Sequence, residues 1–289
     1  MRQTLITGTG SYLPERIITN DDLAARMDTS DEWIRQRTGI GQRHMVAEGQ
    51  KTSDLAIAAG EKALEHAGLN ATDLDCIIIA TTTPDDTFPA TAATVQAGLG
   101  ASNAFAFDVQ AVCAGFVYGL DVGDSMVKCG KANKALVIGA ESFTRILDWE
   151  DRSTAVLFGD GAGAVVLEAS EDHDGWGILS STLYTDGRFK DILYVDGGVS
   201  STGTVGHVRM KGREVFRHAV EKLSSSMEAA LKISGLEASD VDWLVPHQAN
   251  LRIIDSMQKK LNLDENKVVR TVHEHANTSA ASIPLALDT

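Results

Sequence analysis

Two periodicities alternate along this 289-residue chain, one helical and one strand-like. From Ser53 to His66 the apolar positions recur on one helical face, and Phe216, Val220, Leu223, Met227 and Leu231 repeat that spacing later. Between such stretches lie short apolar runs too brief for helices: Cys76–Ala80, Lys134–Glu141, Gly161–Glu168 and Trp243–Val245. These predict buried strands, and the opening Met1-Arg-Gln-Thr-Leu-Ile-Thr-Gly8 predicts another. A further apolar strand starts at Phe105 and turns into a helix at Cys113. Helices and strands alternating in this way predict an α/β fold.

The pattern also repeats. Ala67-Gly-Leu-Asn-Ala-Thr-Asp-Leu-Asp-Cys-Ile-Ile matches Ser234-Gly-Leu-Glu-Ala-Ser-Asp-Val-Asp-Trp-Leu-Val, an offset of 234 − 67 = 167. Each copy follows an amphipathic helix, passes a Gly-ended turn and enters an apolar run. Two similar halves are therefore expected, residues 1–171 and 172–289, with equivalent strand ends meeting near a pseudo-twofold axis. Ligands in open α/β sheets tend to bind at such strand ends. Adding the offset to Cys113 gives position 280, so the Cys113 turn and the loop His275-Ala-Asn277-Thr-Ser-Ala are expected to face each other. Residue 289 maps back to 122, inside the helix after Cys113, so the second half is expected to lack its last two strands.

Cys113 at a helix start faces unpaired N–H groups and the positive end of the helix dipole, both of which favour thiolate. The dipole supplies roughly 0.3–1 kcal/mol, about half a pKa unit, so a partner is needed. Cys76, in an apolar run, reads as packing, and Cys129 receives no role. His247, in Val245-Pro-His247-Gln-Ala-Asn250, sits where a strand enters a helix. A lone histidine is more often structural, but the repeat brings Cys113, His247 and Asn277 to one end of the sheet. That set has the logic of a nucleophile with a base or donor.

Composition is that of a soluble globular protein: 43% hydrophobic and 23% charged, with no apolar run of spanning length and no signal peptide. A cytoplasmic location is expected. Net charge of −14 argues against nucleic acid or an anionic membrane as partner. Gly8-Thr-Gly10 and Gly159-Asp-Gly-Ala-Gly163 lack the third glycine or the lysine of nucleotide-binding loops and read as tight turns at strand ends. His273-Glu-His275 offers no metal spacing, and no metal is expected.

Several motifs together resemble the β-ketoacyl-[acyl carrier protein] synthase III family of the thiolase superfamily. They are Thr-Ser-Asp-Glu-Trp33-Ile-Arg-Gln-Arg37-Thr-Gly-Ile, Phe88-Pro, Ala-Val-Cys113-Ala-Gly-Phe, Arg152-Ser-Thr-Ala-Val-Leu-Phe-Gly-Asp-Gly, Val-Pro-His247-Gln-Ala-Asn-Leu-Arg and Ala-Asn277-Thr-Ser-Ala-Ala-Ser. The resemblance spans residues 1 to 289. It implies a thiolase-like fold of two halves in an α-β-α-β-α layering. It also implies a ping-pong condensation of acyl-CoA with malonyl-[acyl carrier protein], with no cofactor beyond the CoA thioester. Cys113 would carry the acyl group, and His247 and Asn277 would donate to the thioester oxygen of the malonyl group. Trp33 and Arg152 would sandwich the CoA adenine, and Arg37 would meet its phosphates. Asn250 and Gly212 would line the pantetheine tunnel. Phe143 would bound the acyl pocket, and Phe88 would close it from the partner of a homodimer. Arg217, Arg252, Lys259 and Lys260 form a basic cluster for the acidic carrier protein; as a solvated helix face the cluster is equally well explained.

Where the family usually carries Gly before the Asn, this chain has Ala276. His273 and His275 raise a Cys-His-His alternative, but neither stands at the Asn277 position of the motif. Two rivals remain at this stage: another Cys-His-Asn condensing enzyme of polyketide or signal-molecule type, and a non-catalytic homologue that binds acyl-CoA or carrier protein. In the family a glycine-rich segment following the residues present here completes the oxyanion hole, which lends the second rival weight.

Overall fold

A computed structural model describes residues 2–171 and 175–289. The expected boundary after residue 171 abuts residues 172–174, which lie outside the described residues. The strands are β1 (Gln3–Tyr12), β2 (Arg16–Thr19), β3 (Gln42–Met45), β4 (Cys76–Ala80), β5 (Phe105–Val109), β6 (Lys134–Glu141), β7 (Gly161–Ser170), β8 (Leu193–Val195) and β9 (Val208–Met210). Five of them form one mixed sheet in the order β1-β7-β6-β4-β5. β4 runs parallel to β5 and β6, whereas β7 is antiparallel to both β6 and β1. The pairs β2–β3 and β8–β9 stand apart.

The strand sequences explain the layering. Every residue of β4 is buried, because both faces of the sheet are covered. Side chains alternate between faces: Ile77 and Ile79 pack with Leu136, Ile138, Val166 and the Thr52–Ala67 helix, while Cys76 and Ile78 pack with Val137, Val165 and Phe116 of the Gly115–Lys128 helix. Burying each such Ile contributes about 1.5–3 kcal/mol. Gly8 and Gly10 are not at a strand end, as the sequence suggested, but inside β1. A Cβ on Gly10 would lie 2.3 Å from the Ala63 nitrogen, so the glycine lets the Thr52–Ala67 helix approach the strand closely.

The 167-residue offset is written into the backbone. The Thr52–Ala67 helix ends at Gly68 (φ 68°) and the Gly212–Ser234 helix at Gly235 (φ 70°). Short 3₁₀ turns follow at Ala71–Asp73 and Ala238–Asp240, each closed by an Asp accepting from the backbone three residues before it. Val112 (φ 48°) and Ser279 (φ 50°) correspond, each opening a 3₁₀ turn that leads into a helix. One expected strand differs. Trp243–Val245 is not a strand but a single parallel bridge between Leu244 and Val268. β4 is held by neighbours on both sides, whereas this segment pairs on one side at one position and leaves Trp243 65% exposed. Among the described residues, the second half carries the two-stranded pair β8–β9 and this bridge. The halves share a core in which Ile34, Ile40 and Val156 meet Ile254, Val268 and Val272.

Candidate active site

Cys113 follows β5 and sits in the 3₁₀ turn Val112–Ala114, immediately before the Gly115–Lys128 helix. Val112 is β-branched yet holds φ at 48°, an outlier that turns the chain sharply and presents the half-buried thiol. The thiol opens into a cavity of about 290 Å³ whose walls include Thr82, Phe143, Phe158, Val195 and Val208. The thiolate preference expected of a helix start does not hold here. Burial, with the Glu141 charge adding, pushes the Cys113 thiol up to about 11, against the lowering by a hydrogen bond with Ser279. Desolvation of a charged sulfur outweighs a dipole of a few tenths of a pKa unit.

Packed against the Cys113 turn is the turn that carries Asn277. Its N–H donates to the Leu157 carbonyl (3.0 Å) and its own carbonyl accepts from the Gly159 N–H (3.1 Å). The side-chain Oδ1 accepts the Ser279 N–H at 2.9 Å, so Nδ2 is the end of the amide left to donate elsewhere. Ser279 Oγ donates to Glu141 Oε1 (3.0 Å). Glu141 is buried and also accepts from Thr82 N–H and, at 2.7 Å, Thr83 Oγ1; burial pushes its pKa up to about 7. His247 is tied to the same turn, its Nδ1 lying 2.5 Å from Ser282 Oγ. Burial lowers the His247 pKa to about 4, so the imidazole is neutral at neutral pH. The six residues from Asn277 to Ser282 thus touch the thiol, the carboxylate behind it and the histidine. Ser279, Ser282 and Glu141 were given no role from sequence; the signal was the offset, which maps Val112 onto Ser279.

Ala276 occupies φ 58°, ψ −162°, a region in which only glycine is at ease. Ala276→Gly is expected to stabilise the fold. Relief of about 1–3 kcal/mol of strain is offset by the 0.5–1 kcal/mol or so that glycine loses in backbone entropy. A raised denaturant midpoint at unchanged slope is the expected result, and a lowered one contradicts the strain.

The residues assigned to CoA are differently disposed. Arg37 and Arg152 both lie against the Trp33 ring, 4.3 and 4.7 Å from its centroid, and Arg152 also bonds the Asp28 carbonyl. A flat ring inserted between Trp33 and Arg152 needs two contact distances, about 7 Å, so Arg152 has to swing out. Asn250 is already engaged at both ends: Oδ1 caps the Leu251–Lys260 helix at the Arg252 N–H (2.9 Å) and Nδ2 donates to the Arg37 carbonyl (3.0 Å). Gly212 is exposed at the start of the Gly212–Ser234 helix and does not line the Cys113 cavity. Phe143 does line it, buried and stacked on Phe158 at 4.3 Å. Phe88 is 83% exposed. Arg217, Arg252, Lys259 and Lys260 are all exposed on the Gly212–Ser234 and Leu251–Lys260 helices, with Arg252 over the Phe216 ring at 5.1 Å and Lys260 3.9 Å from Glu228.

A thiol on a strained strand-to-helix turn, packed against the equivalent turn of a second repeat that carries Asn277 and binds His247 through Ser282, defines a condensing enzyme of the thiolase-like fold. Family profiles sharpen this. One described as 3-oxoacyl-[acyl-carrier-protein (ACP)] synthase III matches residues 107–187, and its C-terminal counterpart matches residues 231–289. A β-ketoacyl-[acyl-carrier-protein] synthase III from Hyphomonas neptunium is 59% identical over 289 residues, 99% of this chain and 90% of its own. The crystal structure of 3-oxoacyl-[acyl-carrier-protein] synthase III from Aquifex aeolicus superposes with a TM-score of 0.93 at 46% identity, covering 98% of this chain and 89% of that one. A priming β-ketosynthase from the R1128 polyketide pathway superposes at 0.94 but is 36% identical, over 99% and 87% of the two chains. The chain belongs to the β-ketoacyl-[acyl-carrier-protein] synthase III family.

Proposed function

We propose that this chain condenses an acyl-CoA with malonyl-[acyl carrier protein], yielding 3-oxoacyl-[acyl carrier protein], CoA and CO₂ and so initiating fatty-acid synthesis; acetyl-CoA is the default primer. The observation that carries the reading is the 277–282 turn, which engages the Cys113 surroundings through Ser279 and His247 through Ser282. The Cys113 sulfur attacks the acyl-CoA thioester, and CoA leaves with the thiol proton. The malonyl C–CO₂ bond then breaks, and its electron pair passes into an enolate whose oxygen accepts from His247 Nε2 and Asn277 Nδ2. The enolate carbon attacks the acyl carbonyl, and the Cys113 sulfur departs as thiolate and takes up a proton from solvent, which restores the thiol. Two preorganised donors suit a charge that appears only as CO₂ leaves. Decarboxylation drives the bond formation, so no cofactor enters.

The halves 1–171 and 172–289 meet at this site. On the same reading Trp33, Arg37 and Arg152 hold the CoA nucleotide, and Asn250 and Gly212 border the pantetheine path. Phe143 limits the acyl pocket, and the exposed Phe88 enters that of a second copy in a homodimer. The protein acts in the cytoplasm. Incubation with a panel of acyl-CoAs should add the acyl mass to Cys113; no adduct with any of them favours a binding-only role.

Carrier protein docks on Arg217, Arg252, Lys259 and Lys260, a local basic face on an acidic chain. Arg252→Glu is expected to slow turnover of malonyl-[acyl carrier protein] about tenfold, the effect of roughly 1.4 kcal/mol, and to spare acyl transfer from CoA. Equal losses in the two half-reactions contradict this docking face.

A further inference from the structure

A neutral histidine has one N–H to give, and which ring nitrogen carries it is set by what the other nitrogen meets. His247 Nδ1 meets Ser282 Oγ at 2.5 Å. Ser282 is buried at the first position of the Ser282–Leu287 helix, and its oxygen already accepts the Gln248 N–H at 3.3 Å. A hydroxyl that accepts from a backbone amide still has its own proton to place. Among the described residues, His247 Nδ1 is the acceptor within hydrogen-bond reach of that proton. The backbone around the pair is tied together through the Gln248 side chain. Gln248 is buried, donates to the Pro246 and Val269 carbonyls, and accepts the Thr271 and Val272 N–H groups.

We infer that Ser282 is a positioning residue that donates to His247 Nδ1 and so keeps the imidazole proton on Nε2, aimed at the thioester oxygen of the malonyl group. Because burial keeps the ring neutral, the tautomer is open to choice at neutral pH and a neighbour has to choose it. The other donor is oriented from the same turn, since the Ser279 N–H occupies Asn277 Oδ1 and leaves Nδ2 to face the site. A serine three residues beyond another serine thus sets one donor while the first sets the other. The inference rests on the reading of His247 as an enolate donor, but its main test does not use activity.

Nitrogen NMR of the full chain carrying isotope-labelled histidine reads the tautomer directly. In the unmodified protein at neutral pH, His247 is expected to show an unprotonated Nδ1 and a protonated Nε2; a proton on Nδ1 overturns the inference whatever the enzyme does. Ser282→Ala is expected to give mixed tautomers and about 10- to 100-fold slower CO₂ release, the usual range for a residue that orients a functional histidine. Acyl loading of Cys113 should stay near its original rate, and Ser282→Thr, which restores the hydroxyl, should recover the tautomer and most of the rate. Unchanged tautomer in Ser282→Ala refutes the role. Should Ser282→Ala not fold, the unmodified protein and Ser282→Thr decide between the same alternatives.

Discussion

Cys113→Ala is expected to abolish acyl transfer from acyl-CoA while malonyl-[acyl carrier protein] still loses CO₂, and Asn277→Ala is expected to do the reverse. The two steps use different atoms. In the proposed reaction only the Cys113 sulfur forms the thioester, whereas enolate charge falls on an oxygen served by donors that other residues hold in place. Asn277 is fixed by the Leu157 carbonyl, the Gly159 N–H and the Ser279 N–H, and His247 by Ser282; none of these anchors is Cys113. Losing one oxyanion donor typically costs about 2.7–4 kcal/mol, or 10²–10³ in rate, so CO₂ release by Asn277→Ala should fall by that factor. Mass spectrometry of the acyl adduct and a CO₂-release assay separate the two effects. If Cys113→Ala loses both steps in a folded protein, the donors are not independent of the thiol and the division of labour is wrong.

Gly139→Ala is expected to cost about as much, although Gly139 touches no substrate. It lies in β6, and a Cβ there would stand 2.2 Å from the Ala280 carbonyl oxygen, 2.8 Å from its carbon and 3.2 Å from Ala281 Cα. These are backbone atoms of the turn that sets Asn277, Ser279 and Ser282, so no flexible side chain can yield. Restoring normal contact requires the turn to retreat by about 1 Å. Displacement on that scale in a catalytic frame costs on the order of 10²-fold in rate, and overpacking adds about 1–3 kcal/mol of destabilisation. Condensation rate and denaturant midpoint, measured together, should both fall. A folded Gly139→Ala protein with full condensation rate contradicts the packing of the turn on β6.

Much of the scaffold was legible because it depends on burial patterns carried in consecutive residues. The run Cys-Ile-Ile-Ile-Ala became β4 with the bounds read from it, and Lys134–Glu141 became β6. The repeat was legible for the same reason: Gly68 and Gly235 end equivalent helices because both turns need a positive φ. Trp243–Val245 carried the same apolar signal yet pairs at one position, since a strand exists only if neighbours complete its ladder and no local pattern reports them.

By itself the amino-acid sequence determined the α/β alternation, the 167-residue offset and the residue types able to do thioester chemistry, all properties of local order and covalent identity. The tertiary structure decided the rest. It decided that the thiol is pushed up rather than down, because desolvation depends on every element around Cys113 and the helix dipole only on one. It decided that Ala276 bears a conformation suited to glycine, and that Ser279, Ser282 and Glu141 stand behind Cys113, His247 and Asn277. Hydrogen bonds between residues 138 and 35 positions apart arise from how two halves close on each other, and closure is settled by packing rather than by any stretch of chain.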